Sequence, residues 1–416
     1  MTEALRLAPR DWMTAPETRA VLAALTAEGA EVRFVGGCVR DALAGRPVRD
    51  IDLATPDPPE RVMTLLDRAG LKAVPTGLDH GTVTAVSNHR PYEVTTLRHD
   101  VETHGRHATV AFTDDWQADA ARRDFTFNAM SCRPDGTLFD PFGGAADLAA
   151  GRVRFVGEAR ARIEEDYLRL LRFFRFQAHY GRGAPDGEGL AAAAALAPGL
   201  TRLSGERLRE ELLRLLQAPD PVPVLEVMRK NSILASVLPQ VGDNARLAAL
   251  LAARLEASPP DALLRLAALF EGGAGEADTV AERLRLSKAE RRRLSGMLEP
   301  ASGIGVAADD QALRKAIYRL GQGRIADILR LDWAARCAAG DPVDEAAARR
   351  CLDMAAGWRP PDFPLKGRDA LCLGMKSSED VGRLLEEVES WWIGEDFRPS
   401  REDCLARLKQ LIEKGL

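Results

Sequence analysis

Residues 36–55 read Gly36-Gly37-Cys38-Val39-Arg40-Asp41-Ala42-Leu43-Ala44-Gly45-Arg46-Pro47-Val48-Arg49-Asp50-Ile51-Asp52-Leu53-Ala54-Thr55, and their spacing decides how the first third of the chain folds. The residues just ahead, Glu31 to Val35, are short, largely apolar and stop at the glycine pair, so they read as a strand running into a turn. Val39 to Ala44 has a helical composition and ends at Gly45, a helix stop signal. Asp50 to Thr55 alternates polar and apolar residues, which predicts a second strand with Asp50 and Asp52 on one face and Ile51 and Leu53 on the other. Two carboxylates at adjacent same-face positions repel each other unless a cation lies between them. The natural occupant is Mg²⁺, a hard ion held by carboxylates together with substrate phosphates. Gly36 and Gly37 let the backbone approach a ligand, and the helix they open offers free N–H groups to a phosphate. A phosphate cradle followed by a paired-carboxylate strand suits nucleotidyl transfer.

Working outward, Thr82–Ser87 and Tyr92–Leu97 flank the turn Asn88-His89-Arg90-Pro91 and read as a hairpin. Residues 1–150 are therefore expected to form a small mixed sheet with a helical face. Residues 151–217 are dominated by helix-forming sequence, and 218–416 by amphipathic helices rich in Leu, Ala and Arg. The fold class is α+β. Arg160 to Tyr180 is expected as one helix, with Ile163, Tyr167, Leu170, Leu171 and Phe174 as its buried stripe. Asp166 and Arg169, three apart, then share another face. Ser204 is placed as the cap of Gly205–Gln217, with capping boxes at Ser287-x-x-Glu290 and Ser400-x-x-Asp403.

Composition bounds the rest. The 416 residues suggest two or three domains, and 46% hydrophobic with 29% charged residues excludes disorder and collagen-like repeats. The net charge of −5 lacks the basic excess usual in nucleic-acid binders. Its distribution is uneven: 16 basic and 22 acidic side chains in 1–150, 12 and 9 in 151–217, and 29 and 31 in 218–416. The only basic stretch is the middle one. The six cysteines are scattered with no C-x-x-C pair, which fits reduced thiols. Met1 to Trp12 has no apolar core of a signal peptide, and no stretch approaches a membrane span, so a cytoplasmic protein without membrane contact is expected. The sequence sets no oligomeric state.

The 36–55 string resembles the signature of class II CCA-adding enzymes and bacterial poly(A) polymerases, template-independent nucleotidyltransferases of the DNA polymerase β superfamily. The resemblance implies a polymerase-β-like catalytic head over 1–150, a nucleotide-selecting helical neck over 151–217, and a helical, RNA-binding body and tail over 218–416. It implies that Asp50 and Asp52 are catalytic and hold two Mg²⁺ ions as an RNA 3′-hydroxyl attacks the α-phosphate and pyrophosphate leaves. Glu93, on a neighbouring strand, is the candidate third carboxylate.

Further strings carry the same likeness. Arg122-Arg123-Asp124-Phe-Thr-Phe127-Asn128-Ala-Met130 resembles the family's R-R-D-F-T-x-N-A-M, with Phe127 where isoleucine is frequent. It implies that Arg123, Asp124 and Asn128 bind the incoming nucleotide, together with Gly36, Gly37 and Arg40. In a helical turn Asp124 and Asn128 share a face, and paired arginines suit bidentate phosphate contacts. Glu165-Asp166-Tyr-Leu-Arg169, continued by Arg172 and Arg175, resembles the nucleotide-selecting E-D-x-x-R motif. A carboxylate accepts from an exocyclic amino group while a guanidinium donates to a ring nitrogen or carbonyl. Cytosine and adenine both present an amino group beside an acceptor nitrogen, so one Asp–Arg pair serves CTP and ATP and fails U and G.

Leu203-Ser-Gly-Glu206-Arg207-Leu-Arg-Glu210 resembles the last family motif, and Glu206, Arg207 and Glu210 are expected to brace the preceding helix. Leu97–His107, with His99, His104 and His107, matches no zinc spacing and reads as a polar loop, with Arg98, Asp100 and Arg106 resembling the members of a family loop that helps switch from C to A addition. The expected function is addition or repair of the 3′ CCA end of tRNA, held by its acceptor stem and TΨC arm. Alternatives are a poly(A) polymerase, a CC-only or A-only enzyme, or an inactive tRNA-binding protein. The resemblance implies an Arg-Arg-containing segment after the D-x-D strand in poly(A) polymerases; the corresponding Val74–Thr82 has no arginine, which favours CCA addition.

Overall fold

The computed structural model describes residues 6–104, 107–256, 258–270, 273–299, 303–375 and 378–414. The chain forms two compact units, residues 1–239 and 240–416. Head and neck, expected as 1–150 and 151–217, thus lie together in the first unit, along with the first helices of the expected body.

The strands are β1 (Arg33–Val35), β2 (Asp52–Thr55), β3 (Lys72–Gly77), β4 (Thr82–Ser87), β5 (Arg90–Thr96), β6 (Arg98–His104), β7 (His107–Phe112), β8 (Ser131–Cys132) and β9 (Leu138–Phe139). Seven of them make one mixed sheet in the order β3-β4-β5-β2-β1-β8-β9. Only β2 and β5 run parallel, and their register sets Asp52 beside Glu93. The expected hairpin is β4–β5; Asn88 and His89 both take positive φ at its turn, as a tight two-residue connection requires. Helices Pro16–Thr26 and Pro59–Arg68 bury Val21, Leu22, Leu25, Val62, Leu65 and Leu66 against one another and the sheet.

Two sequence expectations change here. The second strand starts at Asp52, not Asp50, and its alternation ends there, because Leu53, Ala54 and Thr55 are all buried in a central strand. Leu97–His107 is not a loop: β6 and β7 pair as an antiparallel ladder. His99 is exposed, while Arg106 and the side chains of Asp100, His104 and His107 lie outside the described residues.

The expected Arg160–Tyr180 helix is two helices, Ala159–Glu165 and Leu168–Tyr180. The break falls at Asp166, which is extended (φ −152°, ψ 107°). Its Oδ1 accepts from the Leu168 N–H at 3.1 Å, so the aspartate caps the second helix rather than continuing the first. Ile163, Leu170, Leu171 and Phe174 are buried as expected, with Tyr167 half-buried. Phe125 meets Phe155 and Phe176 at centroid distances of 4.7 and 5.3 Å, and Phe127 meets Phe176 at 5.4 Å. This aromatic core fixes the Arg122–Met130 segment to the neck. Helix Gly205–Leu216 follows with Ser204 at its cap position, although the serine side chain makes no capping bond.

The second unit is wholly helical among its described residues. Its capping boxes at Ser287/Glu290 and Ser400/Asp403 form as expected. Leu384, Val388, Trp392, Cys404 and Leu408 centre one of its cores. Among the described residues no helix is long and apolar enough to cross a membrane.

Gly144 opens a short helix against the Thr126–Asn128 turn, where a Cβ would lie 2.2 Å from the Thr126 carbonyl oxygen and 2.7 Å from the Phe127 Cα. Backbone cannot yield as a side chain does, so Gly144→Ala should cost about 1–3 kcal/mol. A lowered denaturant midpoint at unchanged slope is the expected result; an unchanged midpoint would contradict this packing.

Candidate active site

Three carboxylates gather at one end of β2 and β5. Asp52 is half-buried, Glu93 lies opposite it across the parallel ladder, and Asp50 stands exposed just ahead of the strand. Withdrawal from water raises the Asp52 carboxyl to about 6, helped by the charges of Glu93 and Asp50 and opposed by Arg123 and Arg40. A dication bound beside these carboxylates would favour the ionised form of Asp52 against that burial. Among the described residues no group of three or more His, Cys, Asp or Glu is placed to hold a metal ion. A cation at these carboxylates would take further ligands from phosphate and water, as Mg²⁺ does.

The glycine pair lies beside this cluster. Gly36 takes φ +66° at the start of helix Gly37–Leu43, and a Cβ there would come within 3.0 Å of the Arg123 guanidinium. Arg40 donates to Asn128 Oδ1 at 2.7 Å and to Asp41 at 2.9 Å, with its guanidinium over the Tyr180 ring at 4.7 Å.

Arg122 and Arg123 are not a loose surface pair. Both donate to buried Asp119, at 2.8 and 3.1 Å, and the two charges overcome its burial to hold its carboxyl low. Asp124 is buried and charged. Burial alone would raise its pKa, but the Arg172 charge and hydrogen bonds from Asn128 and Arg172 hold it down to about 2. Arg172 Nε donates to one carboxylate oxygen at 2.7 Å; Asn128 Nδ2 donates to the other at 2.9 Å. The expected shared face of Asp124 and Asn128 is realised through the single helical turn Thr126–Asn128.

Asp166 lies at the helix break, outside the helix that carries Arg169; the Arg169 N–H donates to the Asp166 carbonyl at 2.9 Å, while the two side chains make their ion pairs elsewhere. Arg169 binds Glu165 and donates to the Arg122 carbonyl at 3.3 Å, which ties it to the Arg122–Met130 segment. Asp166 Oδ2 accepts from Arg207 at 2.7 Å. Of the expected bracing set, Arg207 therefore acts on Asp166, whereas Glu210 is exposed and pairs with Arg214. The buried acid is its neighbour Glu211, 3% exposed, which accepts from Arg172 at 3.5 Å and Arg175 at 2.5 Å. The signal was available: Leu208, Glu211, Leu212 and Leu215 fall on one helical stripe, so Glu211 had to be buried and paired.

Asp124 gives a pH signature. Its folded-state carboxyl lies below its unfolded value, so the stabilisation is complete above about pH 4 and is lost as pH falls through about 2. Asp124→Asn should cost about 3 kcal/mol near neutral pH by leaving Arg172 underpaired. In denaturant titrations the deficit should shrink as pH falls below about 4; a deficit constant across that range would refute the assignment.

Comparison with known proteins agrees with this geometry. Residues 32–154 match the family described as Poly A polymerase head domain, and residues 185–243 match the probable RNA and SrmB-binding site of polymerase A. The mitochondrial CCA tRNA nucleotidyltransferase 1 of Danio rerio is 35% identical over 387 residues, 91% of this chain and 87% of that protein. The CCA-adding enzyme of Geobacillus thermodenitrificans is 39% identical over 226 residues, 54% of each chain. The Bacillus stearothermophilus CCA-adding enzyme, solved in complex with CTP, superposes with a TM-score of 0.75 at 26% identity, covering 96% of this chain and 98% of that one. Paired carboxylates, anchored arginines and these relatives converge on one statement: the chain belongs to the CCA tRNA nucleotidyltransferase family.

Proposed function

We propose that this protein adds or repairs the 3′ CCA end of tRNA from CTP and ATP, releasing pyrophosphate, with Mg²⁺ held at Asp50 and Asp52. The observation that carries the reading is the double anchoring of the base-selecting pair. Arg169 is tied to the Arg122–Met130 segment through the Arg122 carbonyl, and Asp166 is held across the helix break by Arg207. No nucleic-acid template is needed where protein groups are fixed in this way.

Bound at the carboxylates, Mg²⁺ supplies polarisation of the α-phosphate and activation of the RNA 3′-hydroxyl. The chain's own residues do the rest. Asp50, Asp52 and Glu93 present the negative face that positions the cation. Gly36 and Gly37 let backbone approach the triphosphate, while Arg40 and Arg123 offer it charge. Asp124 orients Asn128 toward the sugar. Asp166 accepts from the amino group common to cytosine and adenine, and Arg169 donates to the neighbouring acceptor. Arg172 and Arg175 commit donors to Asp124 and Glu211, so they contribute chiefly by holding the pocket in shape.

The division into a catalytic head over 1–150, a selecting neck over 151–217 and an RNA-binding body and tail over 218–416 is part of the proposal, with the acceptor stem and TΨC arm of tRNA as partner. The match of 185–243 to an RNA-binding family supports it. A cytoplasmic location belongs to the same reading, although relatives include mitochondrial forms. The intact carboxylate and base-selecting sets count against an inactive binding protein.

The test is incorporation of labelled CTP, ATP, UTP and GTP into tRNAs lacking three, two or one 3′ nucleotides. Extension should stop at CCA, require a divalent cation and vanish on chelation. Asp50→Ala and Asp52→Ala should each abolish it, and Arg169→Ala should relax base choice. Unlimited A-tailing would establish poly(A) synthesis instead, and no incorporation would refute the enzyme reading.

A further inference from the structure

Helix Gly205–Leu216 carries two charged residues one turn apart, Arg207 and Glu211, on the side that packs against Leu168–Tyr180. Each reaches a different half of the nucleotide pocket. Arg207 binds Asp166; Glu211 binds Arg172 and Arg175. We infer that this one helix positions both halves separately, with Arg207 governing base choice and Glu211 governing how firmly any nucleotide is held. The inference rests on the reading of the pocket as a CTP and ATP site and adds two positioning residues to it.

The base side depends on Arg207 because Asp166 sits at a break in the helix. Its backbone is extended, so helical geometry does not fix its side chain. Arg207 holds one carboxylate oxygen and the Leu168 N–H the other, leaving acceptor positions on the same carboxylate for an exocyclic amine. A carboxylate freed from Arg207 turns and accepts from donors in other positions, which weakens discrimination. Arg169 keeps its own anchors, Glu165 and the Arg122 carbonyl, and is left in place.

The other side depends on Glu211 through charge balance. Arg172, Arg175, Asp124 and Glu211 are two cations and two anions packed together. Removing the Glu211 charge leaves Asp124 alone between two guanidinium groups that repel each other. Arg175, left without its anion, then competes with Arg172 for Asp124, which loosens the Asp124–Asn128 contact and, through it, Arg40. None of these groups is assigned to the base edge, so the loss is common to all nucleotides.

Equilibrium binding of CTP, ATP and UTP with Mg²⁺ to the full-length protein reads the inference, and tRNA extension separately reads the function, so failure of one is not failure of the other. Arg207→Gln should reduce the preference for CTP and ATP over UTP on the order of tenfold with CTP affinity largely kept. Glu211→Gln should weaken CTP and ATP by the same factor, on the order of tenfold, with the preference over UTP retained. If either glutamine variant fails to fold, Arg207→Lys or Glu211→Asp keeps the charge while altering reach, and should show the same signature in weaker form. Thermal melting sets the folded fraction in each case. Affinities per folded molecule equal to the parent's would reduce both residues to structural supports and overturn the inference. The same signature from both variants would overturn the division of labour.

Discussion

Asp124 is buried and ionised, and a charge in that position must be met by partners that are themselves fixed. Unpaired, a buried carboxylate takes up a proton or costs several kcal/mol. Here Arg172 and Asn128 meet it, and each is tied further out, Arg172 to Glu211 and Asn128 to Arg40. The result is a continuous line of polar contacts from the Gly205–Leu216 helix to the helix opened by Gly36 and Gly37. Along that line lie Arg40, Asp124, Asn128 and Arg172, four of the residues expected to bind the nucleotide. An unpaired Asp124 charge would be costly, which favours these contacts over looser arrangements.

The two ends of this line have different chemistry. At the sheet end, burial and the charges of Glu93 and Asp50 raise the Asp52 carboxyl against the pull of Arg123 and Arg40, and the proposed function places a cation there. At the neck end, every charge already has a protein partner. Phosphoryl-type transfer needs mainly positioning and electrostatic stabilisation from the protein. On the proposed function, a cation at the carboxylates and paired side chains around the base would meet those two needs.

Much of this was legible in the sequence, and the failures have physical causes. Local alternation and turn chemistry gave the β4–β5 hairpin, and the Gly36–Thr55 and Arg122–Met130 strings carried the site residues. The expected alternation of β2 failed beyond Asp52 because a central strand is covered on both sides, a fact that belongs to the whole sheet. The helix break at Asp166 was invisible because Tyr167 to Arg172 continues a helical pattern, while one of the groups that holds the break, Arg207, lies 41 residues away. Glu210, expected as a brace, faces solvent, and the leucine stripe marks its neighbour Glu211 as the buried acid. The net charge of −5 pointed away from nucleic acid because part of the head's acidity is carboxylate suited to a cation.

In the proposed function, protein side chains read the base. The most direct measurement is a pair of crystal structures with Mg²⁺ and non-reactive analogues of CTP and ATP. In both, the exocyclic amino group should lie within hydrogen-bond distance of the Asp166 carboxylate and the adjacent ring nitrogen within reach of Arg169. A base edge met by other groups, with Asp166 and Arg169 left on their present partners alone, would contradict the account.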